Sequence, residues 1–297
     1  MATPVLISVY SRLEHLKRCV DSLRTNRLAK DTDLFVVSDA PYTPQHAEIV
    51  AKVRAYVNSV TGFRSVNLIA WASNKGSVKS ITEARAQIFE TYDRLIFMED
   101  DNVVSPYFLE YINEGLERYQ NNPEVYCICG YNHNILTPVG YNADAYFMYS
   151  FSAYGYGVWK DRYETFYREY KNPDLKSREY KAYFKELNMP AFYLKRAIRH
   201  NWIWGDARLT YYLYHKKMLI LFPCKSLVWN TGFDGSGEHC GGKVISQQSL
   251  ENSTPVRIFP DSLCIDERWL RAMQKHFRYP LWRRIKTLLY DWRQSLK

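Results

Sequence analysis

The chain is expected to fold as an α/β protein, with a mostly parallel central sheet flanked by helices. Three observations carry this expectation. Strand-like and helix-like patterns alternate through the first half. The apolar run Leu95, Ile96, Phe97, Met98 stops abruptly at three consecutive acids, Glu99, Asp100 and Asp101. Each strand-like run of the first half ends at a polar group. Alternation of this kind predicts parallel strands joined by right-handed helical crossovers.

The elements follow in order. Residues 4–10 read as a strand, after which Leu13, Leu16, Val20 and Leu23 recur at helical spacing. A second strand is expected over residues 33–38, ending at Asp39, then a helix over 44–57 and a third strand over 66–72. The helix over 77–90 carries Val78, Ile81 and Ile88 on its apolar side. The acid-tipped strand comes fourth. Ser105 and Pro106 then signal a helix start, cap followed by proline at the first helical position, with the helix running to about Gln120. A fifth strand spans 125–130. The second half is aromatic and less regular: a strand and glycine-hinged turn over 146–159, helices over 160–170, 177–187, 190–200 and 206–216, and a strand over 218–222.

The sequence divides into three expected units. Residues 1–135 form a ligand-binding half with the acid cluster, 136–265 a second half with a glycine-rich loop at 230–243, and 266–297 a basic C-terminal tail. No linker-like stretch, repeat or low-complexity tract separates them. The 297-residue chain opens directly into a strand-like run, without the features of a secretory signal, and lacks a long apolar span, so a soluble cytoplasmic protein is expected. Its six cysteines show no Cys-x-x-Cys pair and read as reduced, mostly buried thiols.

Lys and Arg (40) outnumber Asp and Glu (31), which favours an anionic partner. The excess is concentrated at one end: between Lys275 and Lys297 there are seven Lys/Arg against the single acid Asp291. Over 280–297, Leu281, Ile285, Leu288, Leu289, Trp292 and Leu296 repeat at helical spacing with basic residues on the remaining surface. That pattern fits an interfacial helix drawn to anionic lipid, and equally a C-terminal helix docked on the body with a solvated basic face. Because the charge gathers at one end and not along a face interleaved with aromatics, nucleic acid is not the expected partner.

The acid cluster is the sharpest chemical signal. Carboxylates crowded at the end of a buried strand repel, raise one another's pKa values and destabilise the fold unless a cation or ligand offsets them. Open α/β sheets bind ligands at the carboxyl ends of their strands. Hard oxygen ligands beside phosphate suit Mg²⁺ or Mn²⁺. The alternative is an exposed acidic turn after an edge strand. With a parallel sheet, Ser11 and Arg12, Asp39, Asn74 and Lys75, and the acids all converge on one rim. Asn74 to Ser77 also places a lysine at a helix N-terminus, which attracts phosphate. No Gly-x-Gly-x-x-Gly or Walker motif is present, which removes support for dinucleotide dehydrogenases and P-loop ATPases.

The strand ending Phe-Met-Glu-Asp-Asp-Asn resembles the acidic metal motif of GT-A-fold inverting glycosyltransferases, of the family-2 and N-acetylglucosaminyltransferase I type. Ser-Pro-Tyr-Phe-Leu-Glu-Tyr, Val-Tyr-Cys-Ile-Cys-Gly-Tyr-Asn, Phe-Pro-Cys-Lys-Ser-Leu-Val-Trp-Asn and Gly-Phe-Asp-Gly-Ser-Gly-Glu-His-Cys are similar to the same group. The likeness covers about residues 4–245 and implies a nucleotide-sugar donor, UDP-linked by expectation, and a saccharide or lipid-linked saccharide acceptor. It implies that Asp101 binds the divalent cation, that Glu99 and Asp100 face the ribose and the sugar or metal-bound water, and that Asp39 contacts the base. Ser11, Arg12, Asn74 and Lys75 complete the donor side.

The same resemblance puts Asp206 near the family's catalytic Asp, although Gly205 interrupts the expected Trp-Asp pattern. Helix N-capping is the other reading of Asp206. His239 fits a metal or diphosphate contact, or a plain polar loop residue. Tyr154, Trp159 and Trp204 are candidates for an acceptor platform, with Trp202 and Tyr156 beside them and core packing as the competing role. The loop with Asp234, Gly235 and Ser236 reads as a lid. A sugar-nucleotide nucleotidyltransferase shares the sheet and the acids, but would carry a glycine-rich loop after the first strand, where Val9-Tyr-Ser-Arg-Leu has no glycine. A non-catalytic nucleic-acid or membrane-binding protein is the remaining alternative.

Overall fold

A computed structural model describes residues 2–171, 174–186, 205–236, 250, 253–278 and 285. The first half follows the expected alternation: β1 (Val5–Val9), α1 (Leu13–Arg24), β2 (Asp33–Ser38), α2 (Ala47–Ser59), β3 (Ser65–Ala70), α3 (Ser77–Phe89) and β4 (Arg94–Glu99). These four strands lie in the order β3-β2-β1-β4, all parallel, with Val9 beside Ser38 and Ser8 beside Glu99. Their side chains alternate between two core faces. Val5, Ile7, Val9, Ile96 and Met98 pack with α1 and α2, while Leu6, Leu95 and Phe97 pack with α3. Both faces of the sheet are therefore covered, which is why β4 reads as a continuous apolar run.

The second half extends the same sheet. After a short strand β5 (Asn102–Val104) come α4 (Phe108–Arg118), β6 (Val125–Cys129), β7 (Ala145–Met148), β8 (Tyr156–Trp159), α5 (Lys160–Glu169), α6 (Arg178–Glu186), α7 (Gly205–Lys216), β9 (Leu219–Pro223), β10 (Val228–Asn230) and α8 (Glu267–His276). The eight-stranded order is β3-β2-β1-β4-β8-β6-β9-β7, with β8 and β7 antiparallel to their neighbours. A mostly parallel sheet is thus observed.

Four details differ from the sequence expectation. The 146–159 stretch is two strands, with Gly155 at φ +67° in the turn before β8. α4 begins at Phe108 and not at Pro106, because the chain first makes β5 and Ser105 turns back to receive the Phe108 N–H at its carbonyl. Val78 on α3 is 78% exposed and contributes nothing to the core. Residues 267–276, placed with the basic tail on sequence grounds, pack into the body: Trp269 stacks on Tyr146 at 3.6 Å, and Met273 is buried beside it. The expected helix over 190–200 and all of 280–297 except Ile285 lie outside the described residues.

The cysteine expectation holds where it is described: Cys19, Cys127, Cys129 and Cys224 are free and buried, Cys264 free and exposed. No helix among the described residues is long and apolar enough to cross a membrane.

Candidate active site

The parallel register brings the ends of β1, β2 and β4 to one rim, where Arg12, Asp39 and the acids meet. Arg12 sits at the start of α1, and its Nε donates to Asp100 Oδ2 at 3.1 Å while Nη2 pairs with Asp100 Oδ1 and, at 3.0 Å, with Asp101 Oδ2. Asp100 and Asp101 are 3% and 5% exposed, so this guanidinium is their immediate counter-ion. Sequence alone calls for a cation or ligand to offset these carboxylates, and part of that role falls to Arg12, a residue of the chain itself.

Asp101 is held from a second direction by β10, which pairs antiparallel with β5. Asn102 and Asn230 each donate a side-chain N–H to Asp101 Oδ1 at 2.9 Å, and the Thr231 N–H and hydroxyl donate to its carbonyl at 2.8 and 3.0 Å. Gly232 follows, where any Cβ would collide with Asp101 Oδ2. Asn102, Asn230, Thr231 and Gly232 were missed by sequence reasoning. Pairing between β5 and β10 leaves no periodic signal in either three-residue strand.

The electrostatics are strained toward protonation. Burial, then Asp101, Asp206 and Asp100 in that order, push the Glu99 carboxyl up to about 8. Burial also takes Asp100 to about 6 despite Arg12, and burial takes Asp206 to about 6. Asp206 lies in the first turn of α7, where the helix dipole favours its anion, yet desolvation dominates. Its side chain keeps solvent-exposed surface, and water there tempers the shift. Tyr154 belongs to the same pocket: burial raises its hydroxyl, followed by the charges of Glu99, Tyr131 and Asp206. The structure thus brings Glu99, Asp100, Asp101, Arg12, Tyr154 and Asp206 together.

The donor-side residues from β2 and β3 form an adjoining wall. The Lys75 N–H donates to both oxygens of Asp39 at 3.0 Å, and the Ala40 N–H to Oδ1 at 2.9 Å. Asn74 Nδ2 closes the loop onto the Ala40 carbonyl at 2.6 Å. The Lys75 ammonium turns away to Glu83 and stands 3.5 Å over the Trp71 ring. Arg54, not singled out in the sequence, ties the rim together by donating to the carbonyls of Ser38, Asp39 and Trp71. Ser11 contributes the turn between β1 and α1, its carbonyl accepting the Leu13 N–H.

In the glycine-rich loop, Asp234 accepts from the Ser236 N–H and hydroxyl at 3.0 and 2.6 Å, with Gly235 at φ +89° between them. Asp234 Oδ2 also lies 3.1 Å from Nε2 of the buried His15, which sets this loop against α1. His239, Trp202 and Trp204 lie outside the described residues.

Trp159 is a correction. Because β8 runs antiparallel to β4, its last residue pairs with Arg94, at the opposite rim from Glu99, and Trp159 is buried under the Arg162 guanidinium at 3.4 Å. It cannot serve as an acceptor platform beside Asp206. Tyr156 is likewise core, its hydroxyl accepting from buried Arg85 at 2.9 Å.

A parallel half-sheet ending in acids, joined to a second half that returns an aspartate to them, defines a GT-A-type fold. The chain belongs to glycosyl transferase family 2, whose model matches residues 5–175, more than half of its length. Among solved structures it is similar to S. aureus TarS in complex with UDP-GlcNAc (13% identity, 77% of this chain and 57% of that chain, TM-score 0.43). It is also similar to GalNAc-T7 with UDP, GalNAc and Mn²⁺ (13% identity, 75% and 43%, TM-score 0.46). A third is the mannosyltransferase PcManGT from Pyrobaculum calidifontis in complex with GDP-Man and Mn²⁺ (12% identity, 56% and 46%, TM-score 0.37). The chain spans between 32% and 57% of the length of these and related solved chains. No curated protein sequence matches it.

Proposed function

We propose that this family 2 glycosyltransferase is a metal-dependent inverting enzyme that transfers a sugar from a UDP-linked donor to a saccharide or lipid-linked saccharide acceptor, in surface polysaccharide synthesis. The observation that supports this reading is that Asp206, from the other half of the chain, is near enough for its charge to act on Glu99. Asp206 is the candidate base, with burial raising its carboxyl to about 6.

The residues present fit a divalent cation. Arg12 pairs with Asp100 and Asp101, and burial first, with the neighbouring carboxylates second, raises the Glu99 and Asp100 carboxyls. Asp101 Oδ1 is taken up by two amides and Oδ2 faces Arg12 at 3.0 Å, so a cation would share Oδ2 and the neighbouring carboxylates with that guanidinium. Among the described residues no group of three or more His, Cys, Asp or Glu side chains is arranged to hold a metal ion. Mg²⁺ or Mn²⁺ would therefore rest on one or two of these carboxylates, with water and substrate phosphate in the remaining positions. Bound there, such a cation would supply neutralisation of the charge developing on the departing diphosphate.

The chain's own residues do the rest. Asp39, with its oxygens fixed by the Lys75 and Ala40 N–H groups, presents a preorganised acceptor at the base end of the crevice. Asp206 takes the proton from the acceptor hydroxyl as that oxygen bonds to the sugar carbon and the bond to the diphosphate breaks. Tyr154 lines the acceptor side, and the loop carrying Asp234 shields the acids from water. The basic pattern of 280–297 supports peripheral attachment at the cytoplasmic membrane face.

The test is a thermal-shift panel of nucleotides and nucleotide sugars, with and without Mn²⁺. A UDP or UDP-sugar shift that needs metal and disappears in Asp101→Ala supports the reading. An undiminished shift in Asp101→Ala sinks it.

A further inference from the structure

Arg85 is a buried cation that the site described above does not use. It projects from α3, is 8% exposed, and no carboxylate pairs with it among the described residues. Its partners are neutral. Nη2 donates to the Tyr156 hydroxyl at 2.9 Å and Nη1 to the Tyr163 hydroxyl at 3.5 Å, while the guanidinium carbon lies 4.1 Å from the centre of the Phe97 ring. A buried charge without a counter-ion is costly, and apolar side chains of similar volume commonly replace buried ions with no loss of stability. What a guanidinium adds is direction, because its planar fork fixes the groups it binds.

Those groups lead to the pocket by three routes. Phe97 and Tyr156 form the last paired rung between β4 and β8. Beyond it the strands part: Glu99 follows Phe97 by two residues, on the same face of β4 by strand period, and Tyr154 precedes Tyr156 by two. The third route crosses to α7. Tyr156 packs edge-on against Phe151 at 5.0 Å, and the Phe151 N–H donates to the hydroxyl of buried Thr210 at 3.2 Å. Thr210 stands one helical turn beyond Asp206 on α7. Glu99, Tyr154 and Asp206 come from three separate segments, and each is tied within two residues or one turn to the same interior node.

We propose that Arg85, through Tyr156 and the Phe151–Thr210 link, is a positioning residue for the transfer reaction, holding Tyr154 and Asp206 in place relative to Glu99. It acts through these residues and not on the substrate. The role rests on the function proposed above and extends it to interior residues on which turnover depends.

The test compares full-length wild type with Arg85→Met, Thr210→Val and the double variant, following UDP release from the UDP-sugar that gives the largest Mn²⁺-dependent thermal shift. Each single variant is expected to lose up to about 10²-fold in kcat, the cost of displacing a reacting group by about 1 Å. The KM for the UDP-sugar and the thermal shift with UDP and Mn²⁺ stay at the wild-type values. Because both residues act along one path, the double variant should fall no further than the more impaired single variant. Thr210→Ser, which keeps the hydroxyl, should retain wild-type kcat. If Arg85→Met fails to fold, Tyr156→Phe removes only the hydroxyl that Arg85 holds and carries the same expectation. Wild-type kcat in the single variants overturns the proposal. So does a UDP shift lost in step with kcat, or losses that multiply in the double variant, since either marks a general loosening of the fold. A wild type that neither shifts with UDP nor releases it removes the function above and this role with it, whereas wild-type turnover untouched by every variant removes this role alone.

Discussion

Arg12 Nη2 lies 3.0 Å from Asp101 Oδ2, so the acid cluster carries its own cation within the chain. The proposed divalent cation would therefore enter a site whose charge is already partly balanced, and would share these carboxylates with the guanidinium.

Arg12→Ala removes one partner of a buried ionic group and leaves the other uncompensated. The metal-free variant is expected to lose roughly 2–4 kcal/mol of stability. Added Mn²⁺ should recover more stability in the variant than in wild type, as measured by chemical denaturation. Equal metal responses in the two proteins would show that Arg12 and the metal do not share the cluster.

Asp206→Asn should lower kcat by about 10²- to 10⁴-fold, the usual contribution of a general base, while leaving the metal-dependent nucleotide shift intact. In wild type the base works deprotonated, so the rate should fall as pH drops through about 6. A variant with wild-type kcat would move the base elsewhere.

Glu99 contributes a stability that falls with pH in the metal-free fold. Its carboxyl rises from 4.5 to about 8, so the native state holds that proton more tightly than the unfolded chain. The stabilisation is fully present below about 4.5 and is lost as pH climbs toward 8. Asp100, raised from 3.8 to about 6, acts in the same direction. Melting temperature without metal should fall across this window, and Glu99→Gln should flatten the fall. A melting temperature that rises with pH over the same window would contradict the assignment.

Gly232→Ala places a methyl group against Asp101 Oδ2, where the neighbours are a carboxylate held by two amides and the Arg12 guanidinium. Overpacking of this kind costs about 1–3 kcal/mol. The nucleotide shift should weaken disproportionately, because the displaced group is the candidate metal ligand.

Arg162 tests the opposite rim. It donates to the carbonyls of Tyr119, Gln120 and Val125 and lies 3.4 Å over Trp159. Arg162→Ala strands those carbonyls and should destabilise the protein by about 2–4 kcal/mol, with the nucleotide shift at saturating ligand unchanged. A selective loss of acceptor turnover would restore Trp159 to the site.

Much of the donor half was legible in the residues. Leu95 to Met98 form β4 in the interior of the sheet, Asp33 to Ser38 form β2, and the polar groups after β1, β2 and β4 meet as a parallel sheet requires, because strand period and strand ends are local properties. The second half was legible mainly as helices. α5, α6 and α7 lie close to their expected bounds, whereas β8 was read as part of a glycine-hinged turn after β7, and the contacts of Asn230 to Gly232 with Asp101 were invisible.

Composition and periodicity thus carried the α/β class and the acid cluster at the end of β4. Folding in three dimensions chose which residues touch. The insertion of antiparallel β8 sent Trp159 to the far rim, and β10 brought Asn230 to Asp101 across 129 positions of sequence. Side-chain period reports which face of a strand is buried, but it is the same for parallel and antiparallel neighbours and silent about the partner. Those choices are made by the packing of the whole core.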